Sequence, residues 1–129
     1  MLSATLVDDL MKRFGKGFMR ADAELLAQST TNDFEWHFAA GPDEPDGKIF
    51  RGVEGVMQGI AENRTNFENR RFNDVEYYPA GDDKFVMTAR VTGIKVASGK
   101  NFNLRIIELY TVRDDLIAKK DVFWKQSID

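Results

Sequence analysis

The sequence contains no cysteine and only one histidine, His37. The absence of cysteine excludes disulfides, thiolate nucleophiles and the zinc or iron–sulfur sites that depend on cysteine ligands. A single histidine makes a histidine-based zinc site unexpected as well. We therefore expect the protein to work without a metal or other cofactor.

Basic charge and long apolar runs are also missing. The chain has 18 Lys and Arg against 21 Asp and Glu, a formal net charge of −3. Since phosphate binding requires a basic face, nucleic acid is not an expected partner. No apolar run approaches the roughly 20 residues of a membrane span, and Asp8 and Asp9 interrupt the segment where a secretory signal needs an unbroken apolar core. These absences predict a cytoplasmic protein with no membrane partner.

What remains is the composition of an ordinary globular protein. Of the 129 residues, 43% are hydrophobic and 30% are charged. A chain of this length can bury a core of its own. We expect one domain over residues 1–129.

The spacing of apolar residues predicts three helices. Thr5 to Met19 carries an apolar stripe with helical spacing, and Asp22 is a candidate N-cap for a short helix from Ala23 to Gln28. A third helix, about Val53 to Asn66, follows a Pro/Gly/Asp-rich loop at residues 41–48. Its last turns are polar and are predicted to face solvent.

Alternating or β-rich runs predict five strands. They cover Asp33–Ala39, Arg71–Tyr78, Phe85–Val96, Phe102–Val112 and Ile117–Gln126. Short turns join the last four, so these strands should be antiparallel neighbours in a meander. The order of elements predicts an α+β domain with helices packed on one face of a sheet.

Both faces of that sheet carry large apolar residues. In the run from Leu104 to Val112, Leu104, Ile106 and Tyr110 alternate with Ile107 and Leu109. The helices can cover only one face, and an exposed apolar patch marks an interface. We expect a homodimer through the outer face. The residues predicted there are Ile107, Leu109 and Trp124.

Four short motifs occur in a characteristic order: DAELL at 22–26, DFEW at 33–36, FRGVEG at 50–55 and DVFW at 121–124. In these motifs the chain resembles the nuclear-transport-factor-2-like superfamily, particularly its SnoaL-like and limonene epoxide hydrolase-like members. The resemblance implies a cystatin-like α+β barrel, in which a cone-shaped, antiparallel or mixed sheet wraps around helices to form a deep pocket. This fold hosts cyclases, isomerases, dehydratases, hydrolases and binding modules, so it does not determine the function.

The resemblance also suggests a site. Limonene epoxide hydrolase carries Thr-x-Arg-x-Asp beside a final strand with Arg-Asp-Tyr-Phe, and this chain has TARVT at 88–92 and KDVF at 120–123. Arg90 and Asp121 match, but Thr92 stands where a second aspartate would be. Because that mechanism needs two carboxylates, hydrolase activity of that kind is not expected. The SnoaL-like cyclases are similar in keeping one aspartate on the last strand as the acid/base, and Asp121 matches it.

The resemblance turns Arg90 and Asp121 into the pocket, where they should pair because a lone buried charge is costly. Asp121 is then the predicted acid/base, with Arg90 as its partner and Glu108 as a second acid. The predicted wall of the substrate pocket consists of Trp36, Phe38, Phe50, Thr92, Tyr110 and Phe123.

Three functions fit this pattern. The first is proton-transfer chemistry, such as isomerisation, cyclisation, dehydration or hydrolysis, on a small hydrophobic substrate. The second is a non-catalytic module that binds a small hydrophobic molecule, and the third is a dimerisation domain in which Arg90 and Asp121 form a structural ion pair. A cavity smaller than roughly 300 Å³ would exclude the first two.

Overall fold

The computed structural model describes residues 1–125, so Gln126, the predicted end of the last strand, lies outside the described residues. It contains three helices, α1 (Ala4–Arg20), α2 (Ala23–Ser29) and α3 (Gly52–Asn66). Six strands form one sheet: β1 (Thr30–Phe38), β2 (Lys48–Arg51), β3 (Phe67–Pro79), β4 (Lys84–Lys95), β5 (Asn101–Arg113) and β6 (Leu116–Trp124). The predicted α+β class is confirmed.

The strands follow the order β2-β1-β6-β5-β4-β3 across the sheet. The meander from β3 to β6 is antiparallel, as predicted. The first strand lies parallel to the last, so β1 and β6 meet in the middle of a mixed sheet. The prediction missed β2, which pairs antiparallel with β1 and places Phe50 opposite Trp36. Four residues beside a loop are too few to show an alternating pattern.

The helices cover one face of this sheet. In α1 the buried apolar side chains are Val7, Leu10, Phe14 and Phe18, the stripe expected from the sequence. The side chain of Asp22 accepts hydrogen bonds from the backbone N–H groups of Glu24 and Leu25. This confirms the predicted N-cap of α2. Among the described residues, no helix is long and apolar enough to cross a membrane.

The last turns of α3 are predicted to face solvent, but in the structure one of their residues is buried. Asn63 is only 5% exposed, because it lies on the same side of the helix as the buried residues Val56, Gly59 and Ile60. The polar stretch around it is otherwise largely exposed. A single amide is thus carried into the interior.

Gly59 allows α3 to approach the sheet closely. A Cβ atom at this position would overlap the Trp36 ring and lie 3.1 Å from the Phe50 ring. We expect Gly59→Ala to lower the free energy of unfolding by about 1–3 kcal/mol, the usual effect of overpacking a buried site. Urea denaturation followed by circular dichroism measures this effect.

Gly15 provides the matched control, since it lies within α1 and a Cβ there meets nothing within 4 Å. Gly15→Ala should raise the stability by roughly 0.5–1 kcal/mol, because alanine loses less backbone entropy in a helix. Equal effects of the two replacements would contradict close packing of α3 on Trp36.

Candidate active site

A cavity of about 720 Å³ lies between the helices and the inner face of the sheet. Most of its wall is apolar and aromatic, and Trp36 and Phe38 are among the residues that line it. The apolar residues that line it are Phe18, Trp36, Phe38, Phe67, Phe72, Val91, Phe102, Leu104, Ile106, Val122 and Trp124. Its volume lies within the range of about 300–1,000 Å³ of small-molecule sites.

Two opposite charges lie buried in the inner wall of the cavity. Glu108 on β5 and Lys120 on β6 are each 3% exposed, and the Lys120 Nζ atom lies 3.6 Å from Oε2 of Glu108. Both residues also line a second cavity of about 300 Å³, which contains Tyr77 and Tyr110. The ion pair therefore belongs to the walls of both cavities.

The ammonium group of Lys120 is surrounded by aromatic rings. Its Nζ atom lies 3.6 Å from the centre of the Phe18 ring, 5.1 Å from that of Trp36 and 5.6 Å from that of Phe14. Burial lowers the pKa of Lys120, and the charge of Glu108 opposes this shift. The aromatic faces and the carboxylate together offset the cost of placing the cation here.

Tyr110 fixes the orientation of the carboxylate. Its hydroxyl donates a hydrogen bond to Oε1 of Glu108, and its ring stacks on Phe85 with the centroids 4.7 Å apart. Burial, followed by the nearby charge of Glu108, raises the pKa of Tyr110 well above its ordinary value. Tyr110 therefore stays protonated and acts as a permanent donor to Glu108.

A second cation reaches the cavity from β3. The register between β3 and β4 shifts between Glu68 and Arg71, and Asn69 adopts a positive φ of 54° at this bulge. Arg70 lines the cavity within this bulge. Burial lowers its pKa and the charge of Glu108 opposes that shift, but an arginine remains charged because its ordinary pKa lies far above neutral pH.

The predicted pairing of Arg90 with Asp121 is wrong. Arg90 lies on the outer face of the sheet, where its Nε is 3.3 Å from Asp74 and it donates to Asn103. Asp121 also faces outward, with Lys119 as an ion-pair partner at 3.8 Å. In the register of β5, Arg90 lies opposite Arg105 and Asp121 opposite Leu109, so the two charges are well separated.

Asp121 instead belongs to a polar cluster on the outer face. In the register of β1 and β6, Asp121 lies opposite His37. His37 is buried, and its ring nitrogens lie 3.0 Å from Glu35 and 4.0 Å from Asp46. Burial lowers the pKa of His37, with a further contribution from Lys119, while Asp121 and Asp46 act in the opposite direction. Within residues 1–125, no cluster of three or more His, Asp or Glu side chains could hold a metal ion.

Other predicted wall residues also lie elsewhere. Thr92 and Phe123 are on the outer face, and Phe123 is 55% exposed. Phe50 is packed behind Trp36 in the core, with the ring centroids 4.9 Å apart. Trp124, predicted on the outer face, lines the cavity and packs edge-on against Phe38.

The sequence matches the SnoaL-like domain over residues 11–120, and the chain belongs to this family. No curated protein matches it significantly.

Solved structures with this fold are similar over nearly the whole chain. A nuclear-transport-factor-2-like protein from Burkholderia xenovorans LB400 has a TM-score of 0.76 at 16% identity, covering 97% of this chain and 93% of that one. A provisionally assigned SnoaL-like polyketide cyclase from Jannaschia sp. CCS1 gives 0.76 at 19% identity, with coverages of 97% and 90%. A hypothetical protein with a ketosteroid isomerase-like fold from Catenulispora acidiphila DSM 44928, solved in complex with trimethylamine, has a TM-score of 0.68 at 16% identity, covering 92% of this chain and 85% of that one. At these identities the likeness shows a shared fold.

Proposed function

We propose that the protein is a cofactor-independent enzyme of the isomerase or cyclase type, with Glu108 as its acid/base and a small, largely apolar substrate. The observation that carries this proposal is the buried Glu108 carboxylate in the cavity wall, held by Tyr110 and next to Lys120. Glu108 replaces Asp121 in the role first expected for the aspartate, because Asp121 faces away from the cavity. SnoaL-like family membership and the polyketide cyclase-like neighbours support the same class of chemistry.

The arrangement suits abstraction of a proton from a carbon atom next to a carbonyl group. The Glu108 carboxylate takes the proton, and the electron pair moves to the carbonyl oxygen to give an enolate. Lys120 and Arg70 supply the positive charge that stabilises this oxygen in a water-poor site. Return of the proton to another carbon gives isomerisation. Attack of the enolate carbon on a second carbonyl of the same molecule gives cyclisation, with the proton returned from Glu108 to the new alkoxide oxygen.

A panel of enones, lactones, epoxides and 1,3-diketones tests this proposal in D₂O. Proton NMR would follow deuterium incorporation at carbon, and displacement of an apolar fluorescent dye would report binding. Enzyme-dependent exchange supports the proposal. Dye displacement without exchange or turnover of any compound overturns it in favour of a binding module, and the absence of both leaves a dimerisation domain.

The binding module is the second candidate function. Both oxygens of Glu108 have partners, since Oε1 accepts a hydrogen bond from Tyr110 and Oε2 lies 3.6 Å from Lys120. A carboxylate held from both sides also suits a static wall group that shapes a ligand pocket. In that case, ligands bind in the cavity and leave it unchanged.

We also propose that two chains associate through the outer sheet face. Ile107 and Phe123 lie opposite each other there, 47% and 55% exposed, and an apolar patch of this kind marks an interface. Analytical ultracentrifugation should show a dimer that Phe123→Lys converts to a monomer. Val96→Lys, at a similarly exposed valine after β4, should leave the dimer intact. A monomeric wild-type protein would overturn this proposal.

A further inference from the structure

The cavity carries an excess of positive charge inside an acidic protein. The whole chain has a formal net charge of −3, yet the described residues that line the cavity include three basic side chains, Arg70, Lys95 and Lys120, and one acidic side chain, Glu108. Because Glu108 lies against Lys120, these two charges largely neutralise each other. The charge of Arg70 then remains for a ligand. So does the charge of Lys95, which lies at an exposed position.

The same cavity contains hydrogen-bond donors without acceptors. The indole Nε1 of Trp36 and the amide Nδ2 of Asn63 are buried and have no hydrogen-bond partner among the described residues. The two side chains are 2% and 5% exposed, and both line the cavity. Buried donors are almost always satisfied, so their common position points to an acceptor supplied by a bound molecule.

Glu108 is not that acceptor, because neither of the two donors forms a hydrogen bond with it; its oxygens instead accept from Tyr110 and face Lys120. The guanidinium group of Arg70 also forms no hydrogen bond within residues 1–125, although it interacts electrostatically with Glu108. Arginine binds carboxylates through paired N–H···O contacts. The unused donors of this site therefore match an anionic group with several acceptor positions.

We propose that the cavity binds a small organic anion, a molecule with an apolar ring or chain and one carboxylate head. Arg70 contacts the head, Asn63 and Trp36 donate hydrogen bonds to it, and the aromatic wall holds the apolar body. This inference rests on the proposed function only in naming its substrate class. Binding of the anion requires no reaction.

Three ligands of nearly equal shape and different charge test the inference: 2-naphthoate, 2-naphthamide and 2-naphthylmethylammonium. Isothermal titration calorimetry would measure their affinities, with quenching of tryptophan fluorescence as a second readout because Trp36 and Trp124 both line the cavity. We expect 2-naphthoate to bind at least about tenfold more tightly than the amide, the effect of a charge-assisted hydrogen bond. The ammonium compound should bind most weakly.

Arg70→Met should lower the affinity for 2-naphthoate by about tenfold or more while leaving that for 2-naphthamide nearly unchanged. Arg71→Met is the matched control, because the exposed Arg71 pairs with Thr92 on the outer face. It should leave both affinities unchanged. Circular dichroism of each variant would verify its fold.

Equal binding of the three ligands, no binding of any of them, or equal effects of the two arginine replacements would overturn the inference. Selective carboxylate binding without deuterium exchange on any panel compound would instead refute the proposed enzyme and leave the anion site standing. Exchange of neutral ketones without carboxylate selectivity would instead refute the anion site and leave the proposed enzyme standing. The two proposals therefore fail separately.

Discussion

Replacement of either Glu108 by glutamine or Lys120 by methionine is expected to lower the free energy of unfolding by about 3–5 kcal/mol. Each single replacement leaves the other charge buried, since the two side chains are only 4% exposed. The double replacement removes both charges and should lose less than the sum of the single losses, by about 2–3 kcal/mol. Urea denaturation of the four proteins measures this coupling.

The surface pair Lys48–Glu62 is the control for this cycle. Its Nζ–Oε2 distance of 2.9 Å is shorter than that of the buried pair, but its side chains are 38% and 40% exposed. Exposed ion pairs contribute little, so Lys48→Met and Glu62→Gln should couple by at most about 1 kcal/mol. A coupling of Glu108 with Lys120 no larger than this would contradict a desolvated pair in the cavity wall.

Much of the fold was predictable because its local signals agree with its tertiary structure. The apolar stripe of α1 and the N-cap at Asp22 each identify their element, and the structure confirms them. Alternation along β5 correctly placed Ile106 and Tyr110 on one face and Ile107 on the other. The helix order and the antiparallel meander follow from such signals.

The site was harder to predict because one bulge between β5 and β6 changes the face to which the β6 side chains point. In the hairpin between β5 and β6, Val112 pairs with Ile117, but Thr111 pairs with Lys119, so the register shifts between them. Ile117 is fully buried, and simple alternation from it would turn Asp121 inward as well. After the bulge every side chain changes face, which sends Asp121 outward and Lys120 inward. The composition around the bulge gives no sign of this shift.

For β4 the sequence pattern indicates correctly which side chains face the core and which face outward. One alternating set consists of Phe85, Met87, Ala89 and Val91, all of which are buried. The other set contains Thr88, Arg90 and Thr92, which is the composition of a half-exposed face. This alternation predicts an outward Arg90, as the structure shows, whereas the family resemblance implies an inward one.

Arg70 and Asn63 were missed for a different reason. Asn63 lies in a helix end whose neighbours are mostly polar, and Arg70 lies at a bulge in β3, where alternation gives no reliable face. Only the tertiary structure brings both side chains into one cavity. Polar groups that serve a site are frequently isolated within otherwise ordinary segments, so periodicity alone does not identify them.

Glu108→Gln should lower the rate of enzyme-dependent deuterium exchange by about 10²–10⁴-fold, the usual contribution of a positioned acid/base. Glutamine keeps the shape and can still accept a hydrogen bond from Tyr110, but it cannot take a proton from a substrate. Asp121→Asn makes the matching carboxylate-to-amide change on the outer face and should leave the rate within about twofold, as expected for a group that contacts no reacting atom. Both rates are measured by NMR on the panel compound that the wild-type protein exchanges fastest.

The most direct test of the central claim is the ratio of these two exchange rates, measured on variants whose fold is verified by circular dichroism and whose cavity still binds the fluorescent dye. If the reactive carboxylate lies inside the cavity, the exchange rate of Asp121→Asn should exceed that of Glu108→Gln by at least about 10²-fold. The opposite ratio, with exchange lost in Asp121→Asn and retained in Glu108→Gln, would contradict the account and return the site to the outer face of the sheet.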